Sequence, residues 1–243
     1  MSSPSRSIGG SRLGALVLLI VGIGLVALAL PNTAAYTAMG AGDGVLIALK
    51  RGASPSPGSI RAAIATRDAA LGWMKFSQPL ADKAALYFDL ATRSPAKSEK
   101  SSGDSFNVRD SLLDRTITLH RKALGAGPSR PYSWLRLAQA QYLRNPVARS
   151  LNRSLRLSYL TAPAEPQLAL QRIQLVYAAR NLIEDDIREQ VARDIRLVVR
   201  FRPGFLSEFA RERFALPWLR DRLRAYPDLE ARFISDYLKL PSP

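Results

Sequence analysis

Hydrophobic and polar positions follow a helical period along most of this chain, and one stretch drops the polar positions altogether. Residues 13–30 read LGALVLLIVGIGLVALAL, with no charge. As a helix rising 1.5 Å per residue this run covers about 27 Å, close to the roughly 30 Å hydrocarbon core of a bilayer. It has no polar face to turn toward water, so the pattern predicts a transmembrane anchor over 13–30. A cleaved signal peptide is the alternative, with Thr33, Ala34 and Ala35 as small residues for the cut. Signal cores usually run 7–15 residues, which favours the anchor. Arg6 and Arg12 precede the run with no acid, and the only charge in 31–49 is Asp43. The positive-inside bias then keeps residues 1–12 cytoplasmic and exports the rest.

Beyond the anchor, residues 31–56 are rich in Ala, Gly, Ser and Pro and read as a spacer. Gly40-Ala41-Gly42-Asp43-Gly44 lacks the Lys-Ser/Thr ending and the preceding strand of a phosphate loop. From Ser56, a good N-cap followed by Pro57, apolar spacing predicts helices near 57–74, 78–92, 109–124, 131–143, 146–160, 166–180, 183–201, 205–215, 217–225 and 227–239. Leu80, Ala84, Tyr87, Phe88 and Ala91 form one stripe, and Leu113, Ile117, His120 and Leu124 another. The polar segment 94–107 reads as a mobile loop. No stretch alternates with period two, so the expected fold class is all-α: an N-terminal transmembrane helix, then stacked antiparallel helix pairs over 57–203, closed by capping helices over 204–243.

An internal period sharpens this picture. Pro131 and Pro166 lie 35 residues apart, as do Tyr142 and Tyr177. Trp134, Leu137 and Ala138 follow the start of the tetratricopeptide pattern W-x2-L-G-x2-Y, with Ala for Gly. Tyr142 and Pro163 each come one residue late, and Leu151 stands where a small residue is usual. The segment 110–180 thus resembles a divergent tetratricopeptide-like (TPR-like) array. The layout as a whole is similar to small membrane-anchored accessory proteins of bacterial exopolysaccharide synthesis and export. That resemblance implies an inner-membrane protein with a periplasmic domain, protein partners in an envelope assembly, and no catalytic residues. A stacked array would also present a groove lined by its first helices, here with Arg136, Gln139, Gln141, Gln171, Arg172 and Gln174 off the core positions.

Composition changes the picture at two points. There is no cysteine and one histidine, so thiol nucleophiles, disulfides and Cys/His zinc sites are excluded. No cofactor is expected, and an enzyme acting on lipid-linked sugars would have to rely on Glu165 or His120. The net charge of +15 is concentrated: from Arg115 to Arg180 there are eleven basic residues against Glu165 alone. Arg149, Arg153 and Arg156 fall at i, i+4 and i+7 on one helix face, a geometry suited to capturing phosphate or carboxylate. With an exported domain, the anions in question are acidic glycan or phospholipid, and nucleic acid is not expected as a partner. Glu184, Asp185, Asp186 and Glu189 fit the first turns of a helix, where the macrodipole favours acids. His120 sits on an apolar stripe and reads as a packed side chain. The last forty residues interleave Phe205, Phe209, Phe214, Trp218, Tyr226, Phe233 and Tyr237 with arginines, a texture that fits an end cap first and a partner or membrane contact second.

Overall fold

The computed structural model describes residues 9–74, 76–94 and 103–240, and the side chains of all of these except 9–13 and 103–107. Among them the regular structure is helical: α1 (Gly9–Lys50), α2 (Pro57–Trp73), α3 (Ser77–Arg93), α4 (Gly103–Ala126), α5 (Pro131–Arg144), α6 (Ala148–Thr161), α7 (Pro166–Ala178), α8 (Asp185–Phe201), α9 (Pro203–Glu212), α10 (Leu216–Leu223) and α11 (Pro227–Lys239). A short 3-10 turn, Arg180–Leu182, links α7 to α8. Proline stands in the first turn of α2, α5, α7, α9, α10 and α11, where its missing N–H costs no helical bond. The contacts divide the chain into two units, Met1–Asp82 and Lys83–Pro243, with the division inside α3.

The first unit corrects the spacer expected at 31–56. Residues 31–50 continue α1 without a break, so the helix runs 42 residues. Alanine is the best helix former, and the small residues here serve close packing rather than flexibility. Ala35, Met39, Gly42 and Leu46 recur at helical spacing and are all buried. They face Ile60, Ala63, Ile64, Arg67 and Ala70 of α2. A Cβ at position 42 would overlap the Arg67 guanidinium and Thr66 hydroxyl and lie 3.1 Å from Ala63 Cα, so only glycine permits this approach. Gly52, at φ 80°, ends α1: its N–H donates to Leu49 O and that of Ala53 to Ala48 O, the reciprocal pattern of a Schellman turn. Before this packed part, residues 14–30 are exposed on every side. Among the described residues one helix is therefore long and apolar enough to cross a membrane, with its whole apolar window outside any protein core.

In the second unit Phe88 and Ala91 of α3 join Leu113 of α4 and Ala140 of α5 in a small core. The α3 stripe is rotated from the expected one, since Leu86 is fully buried while Leu80 and Tyr87 are only partly so. Helix α4 starts at Gly103, inside the expected loop 94–107; residues 95–102 of that loop lie outside the described residues. The main core runs from Leu135 on α5 to Phe233 on α11 and takes in Leu206, Phe209, Leu219 and Leu223, so α9–α11 share it. Helix α5 packs on α6, α7 on α8, and α9 on α11, with further contacts α5 to α7, α7 to α9 and α6 to α8.

The 35-residue sequence period has a physical counterpart. Tyr142 donates to Ala178 O at 2.8 Å, and Tyr177 donates to Arg213 O at 3.0 Å. Donors and acceptors are both shifted by 35 residues, so the same latch ties the end of α5 to that of α7 and the end of α7 to that of α9. Tyr177 also packs edge-on against Phe209 and Trp218. Phe214, in the turn it grips, has φ 54°, a conformation disfavoured for a side chain of this size. Tyr142→Phe and Tyr177→Phe should each lower unfolding free energy by about 1 kcal/mol, the net worth of one such hydrogen bond. Chemical denaturation of the detergent-solubilised protein checks this; no change in either variant would remove the latch as a stabilising element.

Candidate functional site

Arg136, Arg149, Arg153, Arg156, Gln171 and Arg172 are the residues expected to contact a ligand, and the structure divides them. On α6, Arg149 and Arg153 are exposed and have no hydrogen-bond or ion-pair partner among the described residues. Lying one turn apart with like charge, they repel slightly and gain nothing from each other. Arg156 is different, because it leaves the stripe and grips the start of α8. Its Nε donates to Asp186 Oδ2 at 2.6 Å, and its Nη2 donates to Glu184 Oε2 at 2.7 Å and Asp186 Oδ1 at 2.9 Å. Those bonds, to Asp186 first and then Glu184, raise the Arg156 pKa further, and the Arg156 bond holds the Asp186 carboxyl below its usual range. The expected three-guanidinium face is thus a pair plus one neutralised arginine. Of the acids expected there, Asp185 and Asp186 occupy the first turn of α8 and Glu184 is its N-cap, and Asp186 and Glu184 serve as the counter-charge for Arg156 as well.

The expected groove residues are mostly occupied. Arg136 lies over the rings of Phe88 and Tyr132, each 4.9 Å away, and donates to Tyr132 Oη and Gln139 Oε1. Gln141 is buried and accepts from Ser154. Gln171 is partly buried with its Oε1 unpartnered, and Gln174 is exposed. Arg172 is fully buried, so it cannot line a groove. Its Nη2 donates to Ser158 O at 2.6 Å and Ala162 O at 2.9 Å, and its guanidinium stacks 4.3 Å from the Tyr159 ring centre.

This arginine belongs to an internal polar cluster that sequence reasoning missed. Tyr159 on α6 donates to Asp194 Oδ2 on α8 at 2.9 Å. Burial pushes the Asp194 carboxyl up to about 6, against the lowering effect of the Arg172 charge and the Tyr159 bond. The first unit has a similar feature: fully buried Arg67 pairs with Asp43, donates to Met39 O at 2.9 Å and lies 3.8 Å from Asp82. In both cases the available signal was a charged residue on an apolar stripe: Arg67 between Ile64 and Ala70, Arg172 between Leu168 and Val176.

Burial, with the nearby Arg136 charge second, lowers the His120 pKa to about 3, so its imidazole is neutral, and both ring nitrogens are unpartnered. It is a packed histidine, as expected. An open depression along α4 is lined by Lys83, Tyr87, Asp110, Asp114, Arg115 and Arg144. Its charges satisfy one another, Arg144 with Asp110 and Asp114, while Arg115 lies over Tyr87. Among the described residues no group of three metal-ligating side chains converges. Comparison with protein-family models, curated proteins and solved structures returned no match.

Proposed function

We propose that this chain is a non-enzymatic, membrane-anchored adaptor. In this reading residues 13–30 are an uncleaved single-pass anchor in a bacterial inner membrane, with the N-terminus cytoplasmic. The second unit is a divergent tetratricopeptide-like array in the periplasm that holds protein partners of an envelope polysaccharide assembly. The observation that carries the proposal is the combination of an apolar helix with no protein cover and helix pairs joined by a latch repeating every 35 residues. The charged clusters are engaged internally, which leaves exposed helix faces rather than a pocket as the working surface. The test is cross-linking of the full-length protein in its own membrane, followed by mass spectrometry, beside an Arg149→Ala/Arg153→Ala variant. The expected result is recovery of glycosyltransferase or export components with both forms. Their absence from both would overturn the adaptor reading.

One observation favours a second reading, in which the chain grips acidic glycan or anionic lipid directly. Arg149 and Arg153 are exposed, permanently charged and, among the described residues, unpartnered, which is what a surface anion site needs. In that case co-purified polyuronate should be lost from the double variant and its retention should fall steeply with salt. Retention unaffected by either would remove this alternative.

A further inference from the structure

The hairpin of the first unit returns to the level at which α1 leaves its apolar run. Contacts across α1 and α2 step in opposite directions: Gly42 lies against Ala63, Met39 O accepts from Arg67, and the Tyr36 and Phe76 rings lie 5.7 Å apart. Ala35, Met39 and Ala70 form a buried patch on which Phe76 packs. The C-terminal end of α2 is therefore beside Tyr36. At this end the apolar side chains face outward: Tyr36 is 61% exposed, Trp73 is 60% exposed, and Met74 is exposed as well.

The spacing along α1 gives these residues a depth. No charge interrupts residues 13–42. The twenty residues from Leu13 to Asn32 cover about 30 Å, a full hydrocarbon core, and Tyr36 follows roughly 6 Å further on. That is the headgroup layer, where Trp and Tyr concentrate because each has an apolar body and a polar tip. The exposed aromatic end is continuous with the exposed apolar run of the same helix, so a single bilayer would cover both.

We infer that Tyr36, Trp73, Met74 and Phe76 form an interfacial foot, inserted in the headgroup layer of the bilayer that α1 crosses. The hairpin is then held to the membrane at two points, the span itself and the returning end of α2. This inference rests on reading α1 as a membrane span.

The test uses the full-length protein in phosphatidylcholine–phosphatidylglycerol vesicles whose acyl chains are brominated either near the glycerol or near the chain ends. The chain has three tryptophans, so emission from Trp73 is read as the difference between the wild type and Trp73→Phe. A second variant, Leu25→Trp in the Trp73→Phe background, reports on the span. The expected result is loss of most Trp73 emission with shallow bromine, and of most of the emission added by Leu25→Trp with deep bromine. If position 25 is quenched and Trp73 is not, the foot is overturned while the span stands. If neither is quenched, the span reading fails and takes the foot with it.

Discussion

Gly42→Leu should open the α1–α2 hairpin, and Gly42→Ala should already weaken it. Even the single added methyl meets the Arg67 guanidinium, the Thr66 hydroxyl and, at 3.1 Å, the Ala63 backbone. Arg67 cannot simply swing away, because it is fully buried and holds Asp43 and Met39 O. Alanine gains roughly 0.5–1 kcal/mol of helix propensity over glycine, while overpacking a tight contact costs about 1–3 kcal/mol. The expected net for Gly42→Ala is a loss of about 1–2 kcal/mol. Leucine must displace the ion pair as well and should expose α2. Gly40, also in α1, is the internal control: nothing lies within 4 Å of its added Cβ, so Gly40→Ala should be neutral or stabilising. Hydrogen exchange of the α2 amides in detergent checks both. Unchanged protection in Gly42→Leu would mean that the two helices are not packed as described.

Asp194→Ala should strongly destabilise the second unit. It leaves the Tyr159 hydroxyl without its acceptor and strips the buried Arg172 of the carboxylate that most favours its charge. One-sided removal of a buried partner costs about 3–5 kcal/mol; here the Ser158 and Ala162 carbonyls still hold the guanidinium, which places the loss near 3. The melting temperature should fall by roughly 6–12 °C. Arg172→Met should cost less, because an orphaned carboxyl can take up a proton whereas a guanidinium cannot shed one. The pH dependence has a definite sign. Folded Asp194 keeps its proton up to about pH 6, while the unfolded chain releases it near 3.9. The folded state therefore binds more protons between those values, and its stability relative to Asp194→Asn should fall as pH rises from about 4 to 6, then level off. Chemical denaturation of both forms across that range checks it. A difference that is flat with pH would show that Asp194 titrates normally.

Local patterns made the helices legible. Proline and apolar spacing marked where most of them begin, and the tyrosine pair marked a period that recurs as a repeated contact. The latch acceptors were not legible, because the carbonyls of Ala178 and Arg213 carry no side-chain signature. Residues 31–50 were misread because composition was weighed above spacing: Ala35, Met39, Gly42 and Leu46 already fall on one helical face, and Lys50-Arg51-Gly52 already reads as a helix end. At the candidate site, sequence alone aligned Arg149, Arg153 and Arg156 on one face and gave no means of separating them. The partners of Arg156 lie 28 and 30 residues away at the N-cap and in the first turn of α8, and only the packing of α6 against α8 brings them together. For Arg172, grouping by residue type favoured a groove, while its place on an apolar stripe was the better guide to burial.

The unbroken passage of α1 from its apolar run into the hairpin also sets the spatial search available to whatever is mounted on it. A flexible linker of 26 residues would let its cargo wander over a radius of roughly 25–30 Å. With α1 read as a membrane span, a continuous helix from Asn32 to Lys50 would instead carry the Arg51–Ser56 turn to a set height of about 27 Å above the hydrocarbon boundary. Partners diffusing in the same bilayer would then meet the first unit in a thin slab rather than a hemisphere. In that reading the confinement would raise their local concentration, and modest pairwise affinities would be enough for assembly.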